Sequence, residues 1–214
     1  MPLDADEFRT ALKTSRSHAD RMRLIEEEVL DRDPFAFTSN LSLYGAIQRH
    51  LEKSLGVETG AVSLVGSGAV GFSIAPDNFT RPFLPSSDLD FAVVSPKLFD
   101  EVWAVLLRWG HPVRHHIPKE AEDWFSSRSS EIFWGWLNPS YLRFEGATKP
   151  YLLKDLRQLK TNWFSTFRAL GTAFPGSEAA GRDATARLYR SRMHLLQYQT
   201  SGLNRVWHQL NKEE

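Results

Sequence analysis

Residues 64–95, LVGSGAVGFSIAPDNFTRPFLPSSDLDFAVVS, constrain this chain more than any other stretch. One apolar run ends in the turn Gly66-Ser67, and a second opens on Asp88-Leu89-Asp90. Side chains two apart on an extended strand share a face. The two carboxylates therefore project together and repel each other unless a positive charge lies between them. A hard divalent cation is the usual solution, and Mg²⁺ held by one or two carboxylates keeps positions open for substrate phosphates. Taken singly, a Gly-Ser dipeptide is a common turn and an Asp-x-Asp is usually a solvated strand edge or a helix cap. Their combination on adjacent strands points to nucleoside triphosphate chemistry. No Gly-Lys-Ser/Thr follows the turn, which excludes a Walker-type phosphate loop.

The order apolar strand, Gly66-Ser67, short helix, Asp88-Leu89-Asp90, apolar strand resembles the DNA polymerase β-like nucleotidyltransferase superfamily, and SSDLDFAVV is similar to that superfamily's second motif. The resemblance covers the middle third of the chain and the flanks in outline. It implies an α/β (α+β) fold with a small mixed sheet: a nucleotidyltransferase core with N-terminal helices over 1–150, and a C-terminal helical part over 151–214 packed on it. It also implies a Mg²⁺-dependent enzyme (Mn²⁺ being the alternative) that transfers a nucleotide from an NTP or dNTP, with ATP or dATP favoured, and releases pyrophosphate. On this reading Asp88 and Asp90 hold the metal, Gly66 and Ser67 cradle the distal phosphates, and Ser87 orients Asp88 or its loop. A looser resemblance to bacterial anti-phage defence nucleotidyltransferases, the cyclic-oligonucleotide synthase-like and Hailong-type proteins, implies a short oligonucleotide product acting on an effector protein. An antibiotic adenylyltransferase, a nucleotidylating toxin or an inactive nucleotide-binding partner would share the core. The chain departs from the superfamily in the long segment 68–87, whose Pro76, Pro82 and Pro85 predict a rigid surface loop.

Such a site generally has a third carboxylate on a neighbouring strand. Glu131, opening a strand expected over 131–137, is the first choice for both catalytic and metal roles, and Glu145 the second. Cationic partners for the phosphates are sought in Lys154, Arg157 and Lys160, spaced by three on a helix expected over 151–170. Arg187, Arg190 and Arg192, on a helix expected over 179–201, are the other source. Lys154 and Arg190 are the chosen contacts, although a solvated helical face would account for either cluster. His111, His115 and His116 lack metal-ligand spacing and read as surface residues. In Phe133-Trp134-Gly135-Trp136 most rings read as core, with Trp134 or Trp136 open to base stacking.

The 214 residues suit one catalytic domain with helical additions. Acidic and basic residues number 26 each, which argues against a general polyanion binder. The absence of cysteine removes disulfides and thiolate metal sites and predicts a cytoplasmic setting. No apolar run approaches the length of a membrane span, and MPLDADEFRTALK lacks a signal-type stretch. Helices are further expected from Asp4, over Ser17 to Leu30, from Ser39 or Asn40 to Leu55, over Gly68 to Ile74, and from Pro96 to Trp109. Strands are expected over Val62 to Val65, over Asp88 to Val94, and briefly near Pro112 to His116.

Overall fold

Local chemistry fixes the N-terminal helices. The computed structural model describes residues 3–113, 115–117, 119–142 and 154–212. Asp4 Oδ1 accepts from the N–H groups of Asp6 and Glu7, both at 2.9 Å, and Glu7 returns a bond to the Asp4 N–H, a reciprocal capping box for α1 (Ala5–Thr14). Ser17 and Asp20 do the same for α2 (His18–Ile25), which continues to Leu30 through a π turn over Glu26–Leu30. Asn40 caps α3 (Leu41–Leu55), and Gly56 ends it in the left-handed region at φ +67°.

Four strands form one mixed sheet: β1 (Val62–Val65), β2 (Leu89–Val94), β3 (Trp136–Leu137) and β4 (Ala184–Tyr189), in the spatial order β1-β2-β4-β3. β2 runs antiparallel to β1 and parallel to β4, with Val65 opposite Asp90 and Asp90 opposite Thr185. β3 pairs antiparallel with β4. Strand alternation separates two faces. Val62, Leu64, Leu89, Phe91, Val93, Ala186 and Leu188 form the apolar face. It is covered by α3, α5 (Pro96–Val113) and α7 (Lys154–Arg168), with Phe99, Val102, Trp163 and Phe167 filling the core. Val65, Ala92 and Tyr189 lie on the other face with Leu195 of α9 (Arg192–Leu210). A second cluster joins α1, α2 and α9 to α4 (Ser67–Val70) through Phe8, Leu12, Ile25, Ala69, Leu203 and Val206. The fold is thus mixed α/β with a small mixed sheet.

Several expectations are corrected. The strand expected over 131–137 is mostly helix: α6 (Glu122–Phe133) carries Arg128 and Glu131 inward, and Gly135 at φ +71° ends it just past its C-cap. Only Trp136 and Leu137 remain for β3. The helix expected over 179–201 is β4 followed by α9, so the C-terminal part is not all helical but supplies a strand inside the sheet. Its alternation was available: Ala184, Ala186 and Leu188 face one side, Thr185, Arg187 and Tyr189 the other. The arginines, read as a helical surface, obscured that period. Of the extended segment expected near Pro112 to His116, Pro112 and Val113 belong to the end of α5 and His115 and His116 to a turn after it, while residue 114 lies outside the described residues. The helix after Ser67 makes a single turn. Beyond it the chain doubles back, Phe72 bridging Pro82, with Phe83 N–H donating to Gly71 O at 2.8 Å. The helix expected from Tyr151 is described from Lys154, and α8 (Leu170–Ala173) adds one turn after it. No helix among the described residues is long and apolar enough to cross a membrane.

Candidate active site

The turn after β1 and the mouth of β2 meet because Val65 pairs with Asp90. Gly66 follows at φ +65°, ψ −150°, a backbone region essentially confined to glycine. A Cβ built there would stand 3.4 Å from Asp90 Oδ2. Gly66 thus lies beside that carboxylate, and it is the backbone conformation rather than the space that calls for glycine. On its other side Asp90 Oδ1 accepts from Thr185 Oγ1 of β4 at 2.7 Å. Asp88, exposed and one residue before β2, lies two positions from Asp90 and by alternation on the same face. Ser67, half-buried, opens α4, and its carbonyl accepts from Gly71 N–H at 2.8 Å. Gly66→Ala is expected to cost about 1–3 kcal/mol through backbone strain. A denaturation midpoint unchanged from wild type would show that the turn tolerates a Cβ.

The loop that delivers Asp88 is pinned from a distance. Arg182 Nη1 donates to the carbonyls of Leu84 (2.7 Å) and Ser87 (2.8 Å), and Nε donates to Glu178 O (2.8 Å). Its guanidinium stands 4.5 Å over the Phe83 ring. Ser87 Oγ accepts from Leu84 N–H at 3.0 Å, so Ser87 ties the loop to itself. Arg182→Ala is expected to lose about 2–3 kcal/mol of stability, because its charged hydrogen bonds to the loop go with it. Amide exchange across 84–89 should rise at the same time. Protection equal to wild type there would show that the loop holds without Arg182.

The remaining candidates lie elsewhere. Glu131 sits within α6, buried, with Oε1 2.6 Å from Arg128 Nη2. Burial pushes its carboxyl above the usual range, against the opposing pulls of Arg128, the Asn138 N–H and Arg187. Arg190 ends five residues beyond Thr185 on β4, on the order of 16 Å along the strand. There its Nε lies 3.0 Å from Asp100 Oδ1 and its guanidinium 5.7 Å over Trp103. Arg190 is therefore not brought to the Asp pair. Lys154 opens α7, which packs on the apolar face opposite Asp90, and its side chain lies outside the described residues. Glu145 also lies outside them. Trp136 packs at 4.8 Å on Tyr198 of α9, and Trp134 is exposed beside Phe133.

β4 brings residues that the sequence reading missed. Thr185 faces Asp90, and extension of the register sets Asp183 opposite Asp88. The Asp183 carbonyl accepts from Leu89 N–H at 2.8 Å. Asp183 is exposed and, by alternation, on the face of Thr185. Arg187, two positions further, also shares that face and stacks 5.1 Å over Tyr198. A period-two reading of DATARLY would have found all three. Among the described residues no three His, Asp or Glu side chains gather closely enough to hold a metal ion. Asp90 and, by extension of the strand alternation, Asp88 would be the oxygen donors for a hard cation such as Mg²⁺.

Comparison with family models, curated proteins and solved structures finds no match for this chain.

Proposed function

We propose that the protein is a Mg²⁺-dependent nucleotidyltransferase acting on an NTP or dNTP. The placement of the Gly66 turn beside Asp90 through the Val65–Asp90 pair, with Asp88 two residues before it, supports this reading. An acceptor oxygen forms a bond to the α-phosphorus, the bond from that phosphorus to the bridging oxygen breaks, and pyrophosphate leaves. Asp88 and Asp90 hold the metal, which when bound supplies charge neutralisation for the phosphates and the departing group. The Thr185 hydroxyl, donating to Oδ1, holds the Asp90 carboxylate in one orientation. Gly66 lets a phosphate oxygen come near the backbone, and Asp183 is the carboxylate nearest in register to accept the attacking hydroxyl's proton. The protein's share is therefore positioning and electrostatics.

A second reading, a nucleotide-binding protein without turnover, is favoured by one observation: a threonine stands directly opposite Asp90. Purified protein incubated with Mg²⁺ or Mn²⁺ and each NTP and dNTP separates the two. Pyrophosphate release that disappears in Asp88→Asn and Asp90→Asn supports the enzyme. Saturable triphosphate binding with no release under any donor supports the binding protein, and absence of both overturns the site.

A further inference from the structure

At the far end of β4 from Asp90, α5 and α6 enclose a cleft of about 490 Å³. Phe99, Leu106, Phe125 and Ile132 line it, and the exposed Trp103, Leu107 and Phe133 form its rim. Its charged lining is of one sign: Arg128 and Arg190 reach it, and no carboxylate is among its described lining residues. Arg128 is only 7 % exposed. Nη2 is taken by Glu131 and Nη1 by the Tyr141 carbonyl, but its buried Nε has no hydrogen-bond partner. A buried, charged donor without an acceptor is costly unless something supplies one. Arg190 is held by Asp100 through Nε while its side chain remains about half exposed (46 %).

We propose that this cleft binds a small amphipathic organic anion, with its apolar body between α5 and α6 and its anionic head on Arg128 and Arg190. Apolar walls with a few convergent polar groups, in a volume of about 300–1,000 Å³, are what small-molecule sites present. A protein partner would instead bury about 800 Å² on each side. Glu131 and Asp100 each pair with one of the two guanidiniums, so selection for an anion rests on the unpartnered Arg128 Nε and the exposed part of Arg190. Because Arg190 stands five residues beyond Thr185, the site is separate from the Asp pair and does not depend on nucleotidyl transfer.

Calorimetric titration of the full chain with decanoate, decyl phosphate, decanol and decyltrimethylammonium, each below its micelle concentration, tests the proposal. Decanoate or decyl phosphate should bind saturably at one site, and the tighter of the two names the head group. Decanol should bind at least about tenfold more weakly, since a charge-assisted hydrogen bond is worth that much. Arg190→Gln should weaken the anion about tenfold by the same reasoning, and Leu107→Asp, at a half-exposed side chain on the rim, should weaken it through charge repulsion, with the thermal midpoint of each variant checking that the fold is intact. Equal affinity for decanol or for the ammonium, no saturable anion binding, or wild-type affinity in both variants would overturn it.

Discussion

Replacing Asp90 by Asn is expected to lower pyrophosphate release by about 10³-fold or more, equivalent to about 4 kcal/mol of lost transition-state stabilisation. The substitution keeps the shape of the side chain, and an amide oxygen at Oδ1 can still accept from Thr185 Oγ1, whose bond in the native protein is 2.7 Å. The thermal midpoint should therefore stay within a few degrees of wild type while activity is lost, which separates a metal-holding carboxylate from a structural one. Thr185→Val should have a smaller effect, about tenfold, because it frees the carboxylate's orientation and leaves its charge. A wild-type rate in Asp90→Asn would end the nucleotidyl-transfer reading. Were that variant to misfold, the exposed Asp88→Asn decides the matter by the same assay.

Arg128→Ala is expected to destabilise the protein by about 3–5 kcal/mol, the cost of leaving one member of a buried ion pair without its partner. Both side chains are nearly enclosed, at 9 % and 10 % exposure, and Arg128 also donates to Tyr141 O and lies 5.5 Å over the Tyr141 ring. The loss should depend on pH with a definite sign. Burial already raises the Glu131 carboxyl above its ordinary 4.5, and Arg128 opposes that rise. Without Arg128 the folded-state value climbs further. A group with a raised folded value favours folding below its unfolded value, and that contribution disappears as pH rises through the folded value. The deficit of Arg128→Ala should thus be larger near pH 8 than near pH 5 in urea titrations. A deficit constant across that range would show that Arg128 does not shift the titration of Glu131 in the folded protein. The paired exchange Arg128→Met with Glu131→Leu should recover most of the loss, since apolar groups of similar volume often replace a buried pair at little cost.

Where the chain's own pattern was unambiguous, sequence and structure agree. Asp4 announces α1, Asn40 proves to be the cap of α3 where Ser39 is the other candidate, and the apolar runs at Val62 and Leu89 form β1 and β2. The closeness of Gly66 to Asp90 was foreshadowed by motif order, although the pairing that creates it is a long-range fact. Two features misled the reading. At 131–137, aromatic and β-branched residues signalled a strand, whereas the inward stripe Arg128, Glu131 and Ile132 kept the helix going until Gly135. At 184–190, Arg187 and Arg190, spaced by three, mimic a helix face, while the side chains of β4 alternate with a period of two. The first misplaces Glu131 as a partner of the Asp pair, and the second hides Thr185 and Asp183. With β4 mistaken for helix, Thr185 and Asp183 had no strand from which to face the Asp pair, and Arg190 was credited with a reach that its position denies it.

The partnership between Asp90 and Thr185 spans 95 positions of sequence. A nascent chain must therefore extend 95 residues beyond Asp90 before this part of the sheet can close. Contacts of such separation slow folding, because ordering is required long before it is rewarded. During that wait the edge of β2 stands open, and a prematurely terminated product would keep it so, exposing a strand to any neighbour able to zip onto it.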